Sequence, residues 1–203
     1  MHYATQVKFE NPNAGSKDKG QHMSSRSRKM QIFNKKVENV DFSHINSLRL
    51  VKSSYLNKAN FEATNLENLK VKHSTLRNAN LKKCILVRSR FSFSNLEQTD
   101  MEYANLSQNS FYRANLKKTN LQCTSFKNST ISESALQNAD LRWANLEGAV
   151  FIKSDLSKAN FCNTNMQNVK IVKCRLQGAK YNIHTLLPFN KDKAEELGMI
   201  YVS

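Results

Sequence analysis

The sequence predicts an all-β solenoid of about seven coils, and two periodicities carry that prediction. From Val51 to Tyr181 every fifth residue is apolar, running Val51, Leu56, Phe61, Leu66, Val71 and onward to Leu176 and Tyr181. A slower period of 20 is superimposed on it. The column Leu56, Leu76, Leu96, Leu116, Leu136, Leu156, Leu176 is all leucine, whereas Val51, Val71, Phe91, Phe111, Ile131, Phe151, Ile171 contains none. Neither ordinary element accepts a period of five. Residues five apart are rotated by roughly 140° on a helix, and on a strand they point to opposite faces. The chain must therefore turn a corner once per unit. Four units complete a coil, because like side chains then stack on like.

Within each unit a small residue stands two places before the apolar one, as at Ala59, Thr64, Ser74, Ala79 and Ala104. It shares the narrow interior with its large neighbour. Asn or Asp often sits between the two, as in Ala59-Asn60-Phe61, Ala114-Asn115-Leu116 and Ala139-Asp140-Leu141. Their side chains bond nearby backbone and suit tight corners. These units resemble the pentapeptide-repeat family, whose repeat is written A(D/N)LXX, over about two thirds of the chain. The resemblance implies a right-handed, quadrilateral parallel β-helix. That hand agrees with the general preference of parallel crossovers.

The chain divides into three parts. Residues 1–36 hold Pro12, Gly15, Gly20 and the run Ser24-Ser25-Arg26-Ser27-Arg28-Lys29, the composition of a basic, flexible tail. Residues 37–181 form the β-helix, and 37–50 read as a degenerate first coil because Val40-Asp41-Phe42 is one residue out of phase. Residues 182–203 form a C-terminal cap. Leu186, Leu187, Pro188 and Phe189 make an apolar turn, and a short helix follows with Asn190 as N-cap and Gly198 just past its end. Covering the last coil is one role for this segment; forming a homodimer through it is the other.

Nothing in the sequence is arranged for catalysis. Cys84, Cys123, Cys162 and Cys174 lack the spacing of a zinc site, and Cys123 and Cys162 lie about 10 Å apart on one side, beyond disulfide reach. Cys84 and Cys174 take the small inward position, whereas Cys123 and Cys162 face outward. The five histidines are scattered, and no nucleophile elbow or phosphate loop is present. No enzymatic activity, cofactor or metal is expected. No stretch approaches a membrane span, and the first 30 residues lack the apolar core of a secretory signal. A cytoplasmic protein is expected, or one delivered to another cell by a secretion system that reads no cleavable signal.

The net charge of +15 points to acidic partners, and its division among the four sides is informative. The residue before each apolar centre and the two after it point outward. The side of Leu66 to Met166 balances Arg88 and Lys127 against Glu67 and Glu147. The side of Phe61 to Phe161 balances Lys82, Lys83, Arg142 and Lys180 against Glu62, Asp100, Glu102 and Asp140. The all-leucine side is moderately positive. On the side of Val51 to Ile171, Lys52, Lys70, Lys72, Arg90, Arg113, Lys153, Lys170 and Lys173 face Glu133 alone, with Phe93, Tyr112, Val150 and Ile152 expected to be exposed among them. The same side breaks the small-residue rule at Leu69, Asn109 and Val169.

The function expected from these features is that of a rigid, non-catalytic scaffold for a protein partner. Its binding residues would be Lys52, Lys70, Lys72, Arg90, Phe93, Tyr112, Arg113, Lys153, Lys170 and Lys173. The alternative is binding of an anionic polymer or surface, nucleic acid or acidic lipid. Family members that confer quinolone resistance protect DNA gyrase by resembling DNA. That role needs a negative surface, and the positive charge of this chain argues against it.

Overall fold

Each five-residue unit lays down one edge and one corner, and the corner decides what the edge can carry. The computed structural model describes residues 30–45 and 48–203. Eight short strands form one parallel sheet in sequence order. They are β1 (Met30–Phe33), β2 (Leu48–Lys52), β3 (Lys70–Lys72), β4 (Arg90–Ser92), β5 (Ser110–Tyr112), β6 (Thr130–Ser132), β7 (Val150–Ile152) and β8 (Lys170–Val172). The other sides are held by isolated parallel bridges, also one coil apart, such as Asn80↔Asp100 and Ile85↔Asn105. The result is a parallel β-solenoid of about eight turns, one per strand of the sheet.

Two kinds of corner explain why only one side carries full strands. On three sides the unit closes with a turn hydrogen bond, as from the Ala59, Thr64 and Leu69 amides to the Leu56, Phe61 and Leu66 carbonyls, each 3.1 Å. On the Val51 side that bond is absent, and in most coils a serine stands at its place, with Ala114 and Cys174 the exceptions. Ser54, Ser74 and Ser134 donate to the carbonyl two residues back at 2.8–2.9 Å. Amides of the coil before donate to Ser54, Ser74, Ser134 and Ser154 at 3.1–3.2 Å. Every strand on this side runs three residues or more where the other sides have single bridges, and β5 does so before Ala114 as the others do before serine. Asn and Asp before the centre behave as expected for corner residues, the Asn60 and Asn80 carboxamides accepting the amides of Glu62 and Lys82.

From Val51 to Leu176 the second residue after each centre takes a left-handed conformation, with φ of 48–61° at non-glycine positions. Such a residue costs roughly 1–2 kcal/mol. Its amide donates to the next coil, as from Phe93 to Tyr112 at 2.9 Å and from Tyr103 to Gln122 at 3.1 Å, which offsets the strain. Large side chains placed here stand clear of the wall. Inside, the apolar centres and small residues form one continuous core from Ile32 to Met199. Phe91 and Phe111 stack at 4.9 Å across one coil step.

The structure corrects the N-terminal boundary. The solenoid is already formed at β1, so residues 30–36 belong to the first coil and not to a tail. Ile32 pairs with Val51, and Phe42 stacks on Phe61 at 4.9 Å. Both steps are 19 residues, as are Lys36↔Tyr55 and Asp41↔Asn60, because Phe42 and Val51, two units apart, are separated by nine residues and not ten. The 19-residue coil is what puts Val40-Asp41-Phe42 out of phase and hides the eighth turn from a strict period of 20. The predicted basic tail otherwise falls in residues 1–29, outside the described residues.

At the other end β9 (Lys180–Tyr181) pairs with β10 (Ile200–Tyr201) around the helix α1 (Lys191–Glu196). Asn190 caps α1 by accepting the Lys193 amide at 3.0 Å. Ala194 and Met199 are buried in the core.

Candidate partner-binding face

The sheet β2–β8 sets its outward residues in two columns about 4.8 Å apart along the axis. One reads Leu50, Lys70, Arg90, Ser110, Thr130, Val150, Lys170, and the other Lys52, Lys72, Ser92, Tyr112, Ser132, Ile152, Val172. Beside them runs the left-handed corner column of Ser53, His73, Phe93, Arg113, Glu133, Lys153 and Lys173. The predicted residues therefore share one side, but they fall into three groups.

Lys52 and Lys72 are paired in register, as are Lys70 and Arg90, and all four are exposed at the N-terminal end. Lys153, Lys170 and Lys173 are exposed at the C-terminal end. Between them Phe93, Tyr112 and Arg113 form a cluster. The Phe93 ring, 41% exposed, meets Tyr112 edge-on at 5.3 Å. The Arg113 guanidinium lies 5.7 Å from the Phe93 ring centre and 5.2 Å from that of Tyr112. Tyr112, Val150 and Ile152 are half-buried, not exposed as expected, since neighbouring coils cover their flanks.

Sequence reasoning missed His73, whose ring stacks on Phe93 at 4.9 Å and 8°. The period of 20 carried that signal, because His73 precedes Phe93 by one coil. It also left Glu133 as a lone acid. Glu133 accepts from Arg113 Nε at 2.7 Å, and that hydrogen bond raises the Arg113 pKa further. Among the described residues, none of the other seven cations of this side forms an ion pair.

Asn109 is a second departure with a physical consequence. It stands two places before Phe111, in a buried row with Leu69, Ser89 and Ser129. Ser89 and Ser129 accept an amide from the coil before and donate to the Leu66 and Leu106 carbonyls. Asn109 accepts the Ser89 amide at 2.7 Å, but its Nδ2 has no partner. A buried donor left unmade costs about 1–3 kcal/mol.

The cysteines are all free. Burial raises the pKa of the Cys84, Cys162 and Cys174 thiols. Cys162, at the outward place after Phe161, is nevertheless buried, and Cys174 is only half-buried, at the last strand of the sheet. Among the described residues no group of His, Cys, Asp and Glu could hold a metal ion, and no helix is long and apolar enough to cross a membrane.

This geometry defines a repeat protein whose sides are chemically distinct. Pentapeptide repeats match residues 52–82, 74–108, 110–148 and 144–180 in eight copies, and the chain belongs to the pentapeptide-repeat family. It is similar to HetL, a pentapeptide repeat protein involved in heterocyst differentiation regulation from the cyanobacterium Nostoc sp. strain PCC 7120. That match has 21% identity and a TM-score of 0.61, and covers 76% of this chain and 75% of HetL. It is also similar to full-length QnrB1, a plasmid-mediated fluoroquinolone resistance protein, at 12% identity and a TM-score of 0.42, over 82% of this chain and 97% of that one. At these identities the likeness concerns the fold alone. No curated protein sequence matches the chain.

Proposed function

We propose that the protein is a non-catalytic scaffold that docks a protein partner on the β2–β8 side. Phe93, Tyr112 and Arg113 supply the centre of the interface. Lys52, Lys70, Lys72 and Arg90 flank one end, and Lys153, Lys170 and Lys173 the other. The observation that carries this reading is the His73–Phe93–Tyr112–Arg113 cluster at the edge of the sheet, in which His73, Phe93 and Arg113 are open to solvent. Aromatic rings with arginine are the residues that dominate binding energy when a partner desolvates them. The scaffold uses no cofactor and acts in the cytoplasm.

Binding of an anionic polymer or surface is the second reading, favoured by the in-register pair Lys70 and Arg90. Salt separates the two, because a polyphosphate partner releases counterions in proportion to the contacts made. The C-terminal end is the proposed site of self-association, where Ile183, Leu186, Ile200 and Tyr201 are exposed.

The test uses Lys70→Glu, Arg90→Glu and Lys170→Glu in one chain, against Lys82→Glu, Lys83→Glu and Arg142→Glu in another. The first should abolish capture of the partner from the native source, and the second should leave it. Tyr112→Ala should weaken a protein partner at least as much as loss of one charge. Equal loss from both triple variants would reduce the effect to net charge and overturn the reading.

A further inference from the structure

We infer that the open edge of β8, at the C-terminal end of the sheet, accepts an extended acidic segment of a partner protein as a further parallel strand. The site is the edge of the sheet and not its face, so it does not rest on the docking role proposed above.

β8 ends the sheet, with β7 on one edge and no strand on the other among the described residues. In the coils above it, the amide after each strand donates to the next coil, as from Lys153 to the Val172 carbonyl at 2.8 Å. The carbonyl before the strand likewise accepts from the next coil, as Ala149 does from the Lys170 amide at 2.9 Å. One coil on, the Lys173 amide and the Val169 carbonyl have no such partner among the described residues. The Lys170 amide and Val172 carbonyl are turned to the coil above, and main-chain groups alternate between the two edges of a strand. Ile171 therefore turns both its N–H and its C=O to the open edge. Two donors and two acceptors stand there in a row, the template on which another chain pairs.

The C-terminal segment closes other parts of this end. β10 pairs with β9, and the Gly198 carbonyl accepts the Gly178 amide at 2.7 Å. It leaves β8 uncovered. Ile171 is only half-buried, where Ile131 and Phe151 above it are fully buried, and Val172 is 44% exposed.

Charge and register name the occupant. A strand laid beneath β8 would set successive residues under Lys170, Ile171, Val172 and Lys173, the second of them inward. Lys170 and Lys173 are exposed, and Lys153 stands one coil above Lys173. Among the described residues no carboxylate, those of α1 included, pairs with any of the three. Acids at the first and fourth places of the added strand would meet these cations at the spacing of one coil, about 4.8 Å. An apolar residue at the second place would cover Ile171, and a β-branched one at the third would pack on Val172. Main-chain hydrogen bonds give such a strand its affinity, and its alternate side chains give specificity. A second copy of this edge fits poorly, because two-fold pairing would bring Lys170 and Lys173 of one chain against those of the other.

The experiment is fluorescence anisotropy of the full chain with a fluorescein-labelled peptide, Thr-Glu-Ile-Val-Glu-Thr. The peptide should saturate one site, and the analogue with lysine for both glutamates should bind at least about tenfold more weakly. Two isomers carrying one N-methyl group each separate strand pairing from charge attraction. Methylation of the valine nitrogen removes a donor to the Ile171 carbonyl and should abolish binding. Methylation of the isoleucine nitrogen, which faces away from β8, should leave it. Lys170→Gln with Lys173→Gln should weaken the parent peptide at least about tenfold, and Lys82→Gln with Lys83→Gln on the paired side should not. No saturable binding, equal binding of the two isomers, or equal loss from both double variants would overturn the site. Sedimentation covers the other occupant: a dimer of the chain that excludes the peptide would give the edge to a second copy and overturn the assignment to an acidic partner. The edge is read by peptide binding and the docking face by partner capture, so the two proposals fall separately.

Discussion

Two sides of the solenoid use the same repeat and treat their cations in opposite ways. On the Phe61 side Lys82 sits 2.9 Å from Glu102 and 3.4 Å from Asp100, Lys83 sits 3.7 Å from Glu62, and Arg142 sits 2.7 Å from Asp140. The neighbouring acids raise the Lys82 pKa, chiefly through its hydrogen bond to Glu102. On the Val51 side, among the described residues, Arg113 alone meets a carboxylate, that of Glu133. The partners on the paired side stand one coil apart, or within the same unit in the case of Arg142. Stacking at about 4.8 Å makes coil neighbours of residues 20 apart. Where the column supplies opposite charges, the fold neutralises itself. Where it supplies like charges, neutralisation is left to solvent or to a partner. The difference therefore separates charge that belongs to the fold from charge that does not.

The largest expected effect lies beneath both sides. Leu116 is fully buried in the all-leucine column, and Leu116→Asp would leave an unpaired carboxylate there. The cost should be several kcal/mol. Thermal denaturation should show a large fall or no cooperative transition, and it should do so irrespective of which side carries function. An unchanged melting curve would remove the shared core from the comparison.

A smaller effect tests how closely the paired side is packed. Cys123 and Cys162 both belong to it, yet Cys162 is buried while Cys123 stays half-exposed. Burial favours the neutral thiol, so Cys84 and Cys162 hold little reactive thiolate near pH 8. Alkylation of the native protein, read by peptide mass spectrometry, should label Cys123 at least about tenfold faster than either. Uniform labelling would show that the paired side does not shield Cys162.

Much of this was legible in the sequence, because a period of 5 inside a period of 20 places every side chain on a side and a level. The apolar centres, the four sides and the lopsided charge all follow from it. The 19-residue first coil was not legible, because a single missing residue breaks the phase without breaking the stacking of Phe42 on Phe61. The left-handed corner was legible only in part, since Asn68, Asn78, Asn128, Asn138, Asn163, Asn168, Gly148 and Gly178 signal it while Phe93, Tyr103 and Trp143 occupy the same position without doing so. That conformation is what stands Tyr103 and Trp143 clear of the wall, 57% and 52% exposed. The Asn109 anomaly was visible as a residue type, but its orphaned donor depends on which carbonyls the neighbouring serines reach.

The measurement that bears most directly on the comparison needs no partner. It is the melting temperature of the two triple variants at low and high salt. Lys82→Glu, Lys83→Glu and Arg142→Glu remove three cations that the fold has paired and place new acids beside old ones, so the melting temperature should fall, and salt should restore part of the loss. Lys70→Glu, Arg90→Glu and Lys170→Glu remove cations that no described carboxylate uses and relieve repulsion between neighbours, so the melting temperature should hold or rise. Equal falls in both variants would mean that the basic side is as much a part of the fold as the paired one, and would contradict its assignment as a surface kept for a partner.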